Sequence, residues 1–174
     1  MSKIINFLLI FIILMGCTVM PPRKGPIFSK ALQPAKNDGM ATVFIYRYGK
    51  EYKTGSWIGV YINDRKAFNI VEKGYTWLYL PLGKYTIRVE RSWDMKSIFP
   101  DETDKPKFLT LNVQVGESYY VNYKVIKAVP QHSAFDVKVK TISEELIQEE
   151  EDVALKKLQR CYYQKNKFTE INEE

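Results

Sequence analysis

The chain has 174 residues, with 26 Lys and Arg against 20 Asp and Glu, giving a formal net charge of +6. Hydrophobic residues make up 45% and charged residues 26%, a balance that supports a packed core and excludes a wholly disordered chain. Two cysteines rule out a disulfide scaffold, and the single histidine, His132, rules out two-histidine metal sites and H-E-x-x-H within one chain.

The first segment combines Lys3 and the free amino terminus with an apolar run, Ile4 to Leu14, interrupted by Asn6. That run is shorter than the roughly 20 residues a membrane-crossing helix needs, so the segment reads as an export signal over residues 1–16. It closes on Leu14-Met15-Gly16-Cys17. These residues resemble the lipobox of bacterial lipoproteins, a small residue followed by cysteine. The resemblance implies cleavage between Gly16 and Cys17 and acyl chains, palmitate among them, on Cys17. It also implies a bacterial envelope location. Thr18 stands where an Asp favours inner-membrane retention, so the expected address is the outer membrane, facing the periplasm.

Cleavage leaves 158 residues, enough for one core. Their charge is uneven: +9 over residues 17–140 and −4 over residues 141–174. A basic body in an exported protein fits anionic headgroups or wall polymers better than nucleic acid. With Cys17 acylated, Cys161 has no intrachain partner; it is either buried on a helix face or paired between chains.

Residues 17–40 read as the lipidated terminus and a tether, broken by Pro21, Pro22, Pro26 and Pro34 and solvated by Arg23, Lys24, Lys30 and Lys36. A β domain is expected over 41–140. Ala41 to Tyr48 has apolar residues on both faces and reads as an inner strand. Trp57 to Ile62 and Lys66 to Val71 flank Asn63-Asp64, two residues that tolerate positive φ in a tight turn. Tyr75 to Leu80 leads to Pro81-Leu82-Gly83, read as a type I turn. Tyr85, Ile87 and Val89 then share one face of a strand.

Ser92 to Pro106 reads as a polar loop. Its acids Asp101, Glu102 and Asp104 lack the spacing of a calcium loop. Leu109, Leu111, Val113 and Val115 line one face of the next strand. Gly116, read at the first central position of a type II′ turn, leads to Ser118–Ile126. His132 reads as a loop residue before a last strand with Phe135, Val137 and Val139 on one face. The expected fold is a mainly β, Ig-like or transthyretin-like antiparallel β-sandwich of seven or eight strands with one C-terminal α-helix.

That helix is expected over Thr141 to Tyr163. Thr141 with Glu144 matches a capping box, and Ile142, Leu146, Ile147, Val153, Ala154, Leu158 and Cys161 form an apolar stripe. Glu150 and Lys157 fall inside the stripe, which suggests partial docking on the domain or an offer to a partner. Residues 164–174 read as a polar tail.

Beyond the anchor, Ala41-Thr42-Val43-Phe44-Ile45-Tyr46-Arg47 resembles the first strand of a group of bacterial lipoproteins built on a domain of unknown function, DUF2846. Pro81, Gly83 and Lys84 answer that group's turn, and Gly116, Tyr119, Tyr120 and Val121 its later strand. The turn and returning strand are also similar to PEGA-type small β-sandwiches. The resemblance implies fold and location and carries no catalytic residue, cofactor or metal. The expectation is a non-enzymatic binding or structural module, held to a membrane by its lipid, with a possible envelope protein partner such as a trans-envelope or secretion assembly. The alternative is a binder or hydrolase of wall glycan, with Trp and Tyr side chains lining the surface.

Overall fold

The computed structural model describes residues 25–29, 32–35, 37–49, 58–91, 105–133 and 136–166. Among the described residues nine strands form two sheets: β1 (Ala41–Arg47), β2 (Ile58–Ile62), β3 (Arg65–Ile70), β4 (Gly74–Leu80), β5 (Gly83–Arg91), β6 (Lys107–Val113), β7 (Ser118–Ser133), β8 (Asp136–Glu149) and β9 (Tyr162–Tyr163). The larger sheet has the order β8-β7-β1-β4-β9 and the smaller one β3-β2-β5-β6. Among the described residues the one helix is α1 (Glu151–Leu158), which precedes β9. The expected mainly β sandwich with a C-terminal helix is therefore the fold.

The chain turns where short-range chemistry dictates. Asn63 and Asp64 both adopt positive φ, 47° and 63°, in the two-residue turn joining β2 to β3. The other two expected turns are corners between the sheets. β4 and β5 lie in different layers, so Pro81-Leu82 carries the chain across. Gly116, with φ of 78°, lies in a turn closed by the Glu117 N–H donating to the Gln114 carbonyl at 3.4 Å. That bond puts Gly116 at the second central position, where type II geometry needs a positive φ, in place of the expected type II′ position.

Because β7 enters the larger sheet after two strands in the smaller one, it lies parallel to β1, Thr42 opposite Ser118 and Arg47 opposite Tyr123. β9 is likewise parallel to β4. These two pairings depart from the all-antiparallel expectation. Among the described residues, β7 beyond Tyr123 pairs only with β8, and His132 sits opposite Val137 within that ribbon, where a loop was expected.

The layer between the sheets is aliphatic: Val43, Ile45, Ile58, Val60, Ile70, Leu78, Ile87, Val89, Leu111, Val113 and Val121 are all buried there. β1 is buried along its whole length because its other face is covered too. There Phe44, Tyr46, Tyr75 and Tyr120 pack against Phe28 and against Ala154, Leu158 and Cys161 from the α1 region. The larger sheet thus has a core on each face.

This second core corrects two sequence expectations. The stretch from Thr141 to Glu149 is strand, and the helix is limited to Glu151–Leu158. The open backbone groups of β7 supply a long template, and pairing with them satisfies more donors and acceptors than an isolated helix start would. Leu146 then faces the inter-sheet core. In place of the expected Thr141–Glu144 capping box, the N-cap is Glu150, with extended dihedrals and no side-chain capping bond. Glu151 and Asp152 in the first turn and Lys156 and Lys157 in the last still suit the helix dipole.

Nor is all of residues 17–40 a free tether. The Phe28 N–H donates to the Cys161 carbonyl at 3.2 Å, and the Tyr163 N–H donates to the Pro26 carbonyl at 2.9 Å. Tyr79 holds the Ala35 carbonyl through its hydroxyl at 2.6 Å. Gly25 lies so close to β9 that a Cβ there would stand 1.9 Å from the Tyr163 carbonyl oxygen, so this approach requires glycine. The apolar ring of Phe28, buried against Phe44 and Tyr75, outweighs the solvating charges around it.

Candidate functional site

The two residues singled out for processing, Gly16 and Cys17, lie outside the described residues. So do Trp57, Trp93 and the acidic residues Asp101, Glu102 and Asp104. Among the described residues no group of three His, Cys, Asp or Glu side chains is placed to hold a metal ion.

The densest polar chemistry lies under α1. The Glu149 side chain, 6% exposed, receives three donors: the Tyr46 hydroxyl at 2.5 Å, the Asn122 amide at 3.1 Å and the Lys157 ammonium at 2.5 Å. Each arrives from a different element. Tyr46 and Asn122 are register neighbours on β1 and β7, both turned to the outer face, and Lys157 comes from α1. Asn122 uses its other amide atom to accept the Tyr48 N–H at 3.3 Å. Alongside, the Tyr120 hydroxyl donates to Glu151 at 3.0 Å and Arg160 donates to the Tyr48 hydroxyl at 3.1 Å.

The electrostatics follow from this wiring. Burial pushes the Glu149 carboxyl up, but the hydrogen bonds from Lys157, Tyr46 and Asn122 outweigh it and hold the group below its ordinary value. Burial first, and then the bond to Glu149, drives the Tyr46 phenol far above its usual range. Tyr120 is pushed up to about 12, first by burial and then by Glu151. The phenols, held protonated, each donate to a fixed carboxyl partner, Tyr46 to Glu149 and Tyr120 to Glu151.

Cys161 is fully buried and free, donating to the Lys157 carbonyl at 3.5 Å, and burial pushes its thiol up to about 12. Its burial is in the second core, past the end of α1, where a helix face was expected. Tyr75 is equally buried, yet its hydroxyl has no hydrogen-bond partner among the described residues. An orphaned buried hydroxyl costs about 1–3 kcal/mol. Tyr75→Phe is therefore expected to keep the fold and raise stability by about 1 kcal/mol in denaturant unfolding.

The outer face of the smaller sheet is the other polar surface. The Arg88 guanidinium lies 3.8 Å from the centre of the Tyr61 ring and pairs with Glu90 at 2.7 Å and Asp64 at 3.5 Å. The Tyr61 ring also lies close to Gly59, where a Cβ would meet it at 3.0 Å. Phe108 stands beside it in register with Arg88, 60% exposed. Of the described aromatic residues, Tyr46, Tyr75, Tyr120 and Tyr123 are buried, and Trp77 stacks on Tyr163 at 4.5 Å.

A family model described as a protein of unknown function (DUF2846) matches residues 37–136. The chain belongs to the DUF2846 family. No curated protein and no solved structure matches it. The matched DUF2846 segment runs from the approach to β1 to the first residue of β8. It supplies the inter-sheet core apart from Leu146, and the Tyr46, Tyr120 and Asn122 side of the polar cluster. Glu149, Lys157, Arg160 and Cys161 lie past its end, so the second core joins DUF2846 residues to a C-terminal segment outside the match.

Sequence reasoning missed this cluster because Tyr46 and Glu149 are 103 residues apart. One signal was present: Lys157 fell inside an apolar stripe, where a cation needs a buried acid.

Proposed function

We propose that this DUF2846 protein is a lipid-anchored, non-enzymatic binding or structural module of the bacterial cell envelope, held on the outer membrane and facing the periplasm. The observation that carries the reading is the Leu14-Met15-Gly16-Cys17 ending of a short apolar run. Each buried methylene contributes about 0.8 kcal/mol, so two or three acyl chains on Cys17 hold the chain on a bilayer nearly irreversibly. The wiring of Glu149 supports the non-enzymatic part. Its carboxylate is engaged by three internal donors, an arrangement that locks α1 to the sheet and leaves little of the group for a substrate. The reading groups the domain with PEGA-type small β-sandwiches and gives it an envelope protein as partner.

The test is fractionation with mass spectrometry. The wild-type chain is expected in the membrane fraction with acyl mass on a processed N-terminal Cys17. Cys17→Ser is expected to stay unprocessed and carry no acyl mass. Normal processing of Cys17→Ser, or a wild-type chain free of acyl groups, overturns the anchor. Cross-linking of the acylated protein should recover a stoichiometric envelope protein; sedimentation with purified peptidoglycan instead would favour wall glycan as the ligand.

A further inference from the structure

The smaller sheet ends in two lateral strands of different character. β3 carries exposed Arg65 and Lys66, and its ladder with β2 is broken by an irregularity at Val60/Tyr61. Charge and bulges are the usual means of blocking strand addition. β6 has neither. From Phe108 to Val113 it holds no charge and no proline, and its register with β5 is unbroken.

Two observations fix which way its backbone groups point. The Thr86 N–H and C=O are both turned to Asn63 on the β2 side, at 2.9 Å each. Thr110, opposite Thr86, is therefore in a non-hydrogen-bonded pair and points its own N–H and C=O away from β5. At the strand's end the Tyr119 hydroxyl donates to the Asn112 carbonyl at 3.1 Å and accepts the Gln114 N–H at 2.9 Å, which requires Asn112 to face the same open side. By alternation Pro106, Phe108, Thr110 and Asn112 all present their backbone groups outward. β8 of the larger sheet passes near β6 without joining its ladder.

We propose that β6 is a self-association edge, at which two copies of this chain pair antiparallel about a two-fold axis through Leu109. In that register Phe108 exchanges both backbone bonds with the second copy's Thr110, and Thr110 with the second copy's Phe108. The next position outward pairs Asn112 with the second copy's Pro106. Proline has no N–H to give, and the Asn112 carbonyl already holds Tyr119, so the single remaining bond runs from the Asn112 N–H to the Pro106 carbonyl. This match is what selects a second copy over an unrelated strand. On the outer face the two Phe108 rings, each 60% exposed, come to diagonal positions within reach of one another. On the inner face Leu109, half-buried beside the inter-sheet core, meets its own symmetry mate. The contact is isologous and closed, so it stops at a dimer. It does not rest on the lipid anchor.

The experiment is sedimentation velocity of the full chain in non-denaturing detergent over a range of concentrations, with a concentration-dependent dimer expected. Thr110→Pro removes an outward N–H that β5 does not use, and should raise the dissociation constant about 10- to 30-fold. Phe108→Lys, which sets like charges beside the axis, should do the same and carries the test if the proline variant fails to fold. Leu109→Cys should yield a disulfide between copies on mild oxidation, whereas Thr86→Cys, on β5, should not. A chain that stays monomeric throughout, or a dimer unmoved by both Thr110→Pro and Phe108→Lys, overturns the proposal.

Discussion

Phe44→Ala is expected to destabilise the protein by about 3–5 kcal/mol, the range for deleting a buried aromatic ring. Phe44 is 4% exposed at the middle of β1. Its ring stacks on Tyr120 at 5.1 Å and meets Phe28 edge-on at 6.1 Å, so it joins the sheet to the N-terminal segment. Its truncation opens a cavity between β1, β7 and the covering layer, which the flat sheet cannot close. Because that layer is held by the same rings, the loss should concentrate there. Amide exchange in α1 and in Ile27–Phe28 should accelerate more than exchange in β2 and β5. Leu82→Ala, at a site 64% exposed, should change stability by no more than about 0.5 kcal/mol. A midpoint for Phe44→Ala within error of wild type in denaturant unfolding would show that the second core contributes little.

The residues that made the fold legible are those whose neighbours lie close in sequence or whose pattern admits one answer. Apolar groups on both faces of Ala41–Arg47 can be satisfied only by a strand covered twice, and β1 is that strand. Asn63-Asp64 sets its own turn. The alternation of Leu109, Leu111 and Val113 against Phe108, Thr110 and Asn112 gives the inner and outer faces of β6 directly. The helix start was misread because Thr141 to Glu149 carries no strand alternation of its own. Its apolar spacings fit a helix, and in the strand it actually forms Glu144 and Leu146 are buried while Glu145 and Ile147 are less so, a pattern set by the long neighbour β7. The polar cluster was hidden for a similar reason. It brings β1, β7, β8 and α1 to one point, and no short-range pattern encodes that meeting. Phe28 was hidden among prolines and lysines, where composition argued for a solvated chain and a single ring on a waiting aromatic face decided otherwise.

Lys157→Met is expected to cost about 2–3 kcal/mol at neutral pH, because it leaves the Glu149 carboxylate buried without its cation. Breaking a buried pair costs about 3–5 kcal/mol; Lys157 is 26% exposed, which lowers the expected figure. The same pair sets an acid limit on stability. Glu149 has a folded-state value below its ordinary 4.5, with Lys157, Tyr46 and Asn122 overcoming the opposing effect of burial. A carboxyl depressed in the folded state binds its proton less tightly there than in the unfolded chain. Its contribution is therefore complete above about 4.5 and fades as pH falls through the folded value. Glu149→Gln should be less stable than wild type at neutral pH and should converge on it as pH falls below that range. In Lys157→Met burial is left with less against it, so the Glu149 value rises, protonation relieves the stranded charge, and the variant's deficit against wild type should shrink as pH falls. The double variant Glu149→Gln, Lys157→Met should cost less than the two single variants together, since removing both charges strands neither. Superimposable acid-unfolding curves for wild type and Glu149→Gln would show that the carboxylate is not held as described, and with it that α1 is not locked to the sheet by charge.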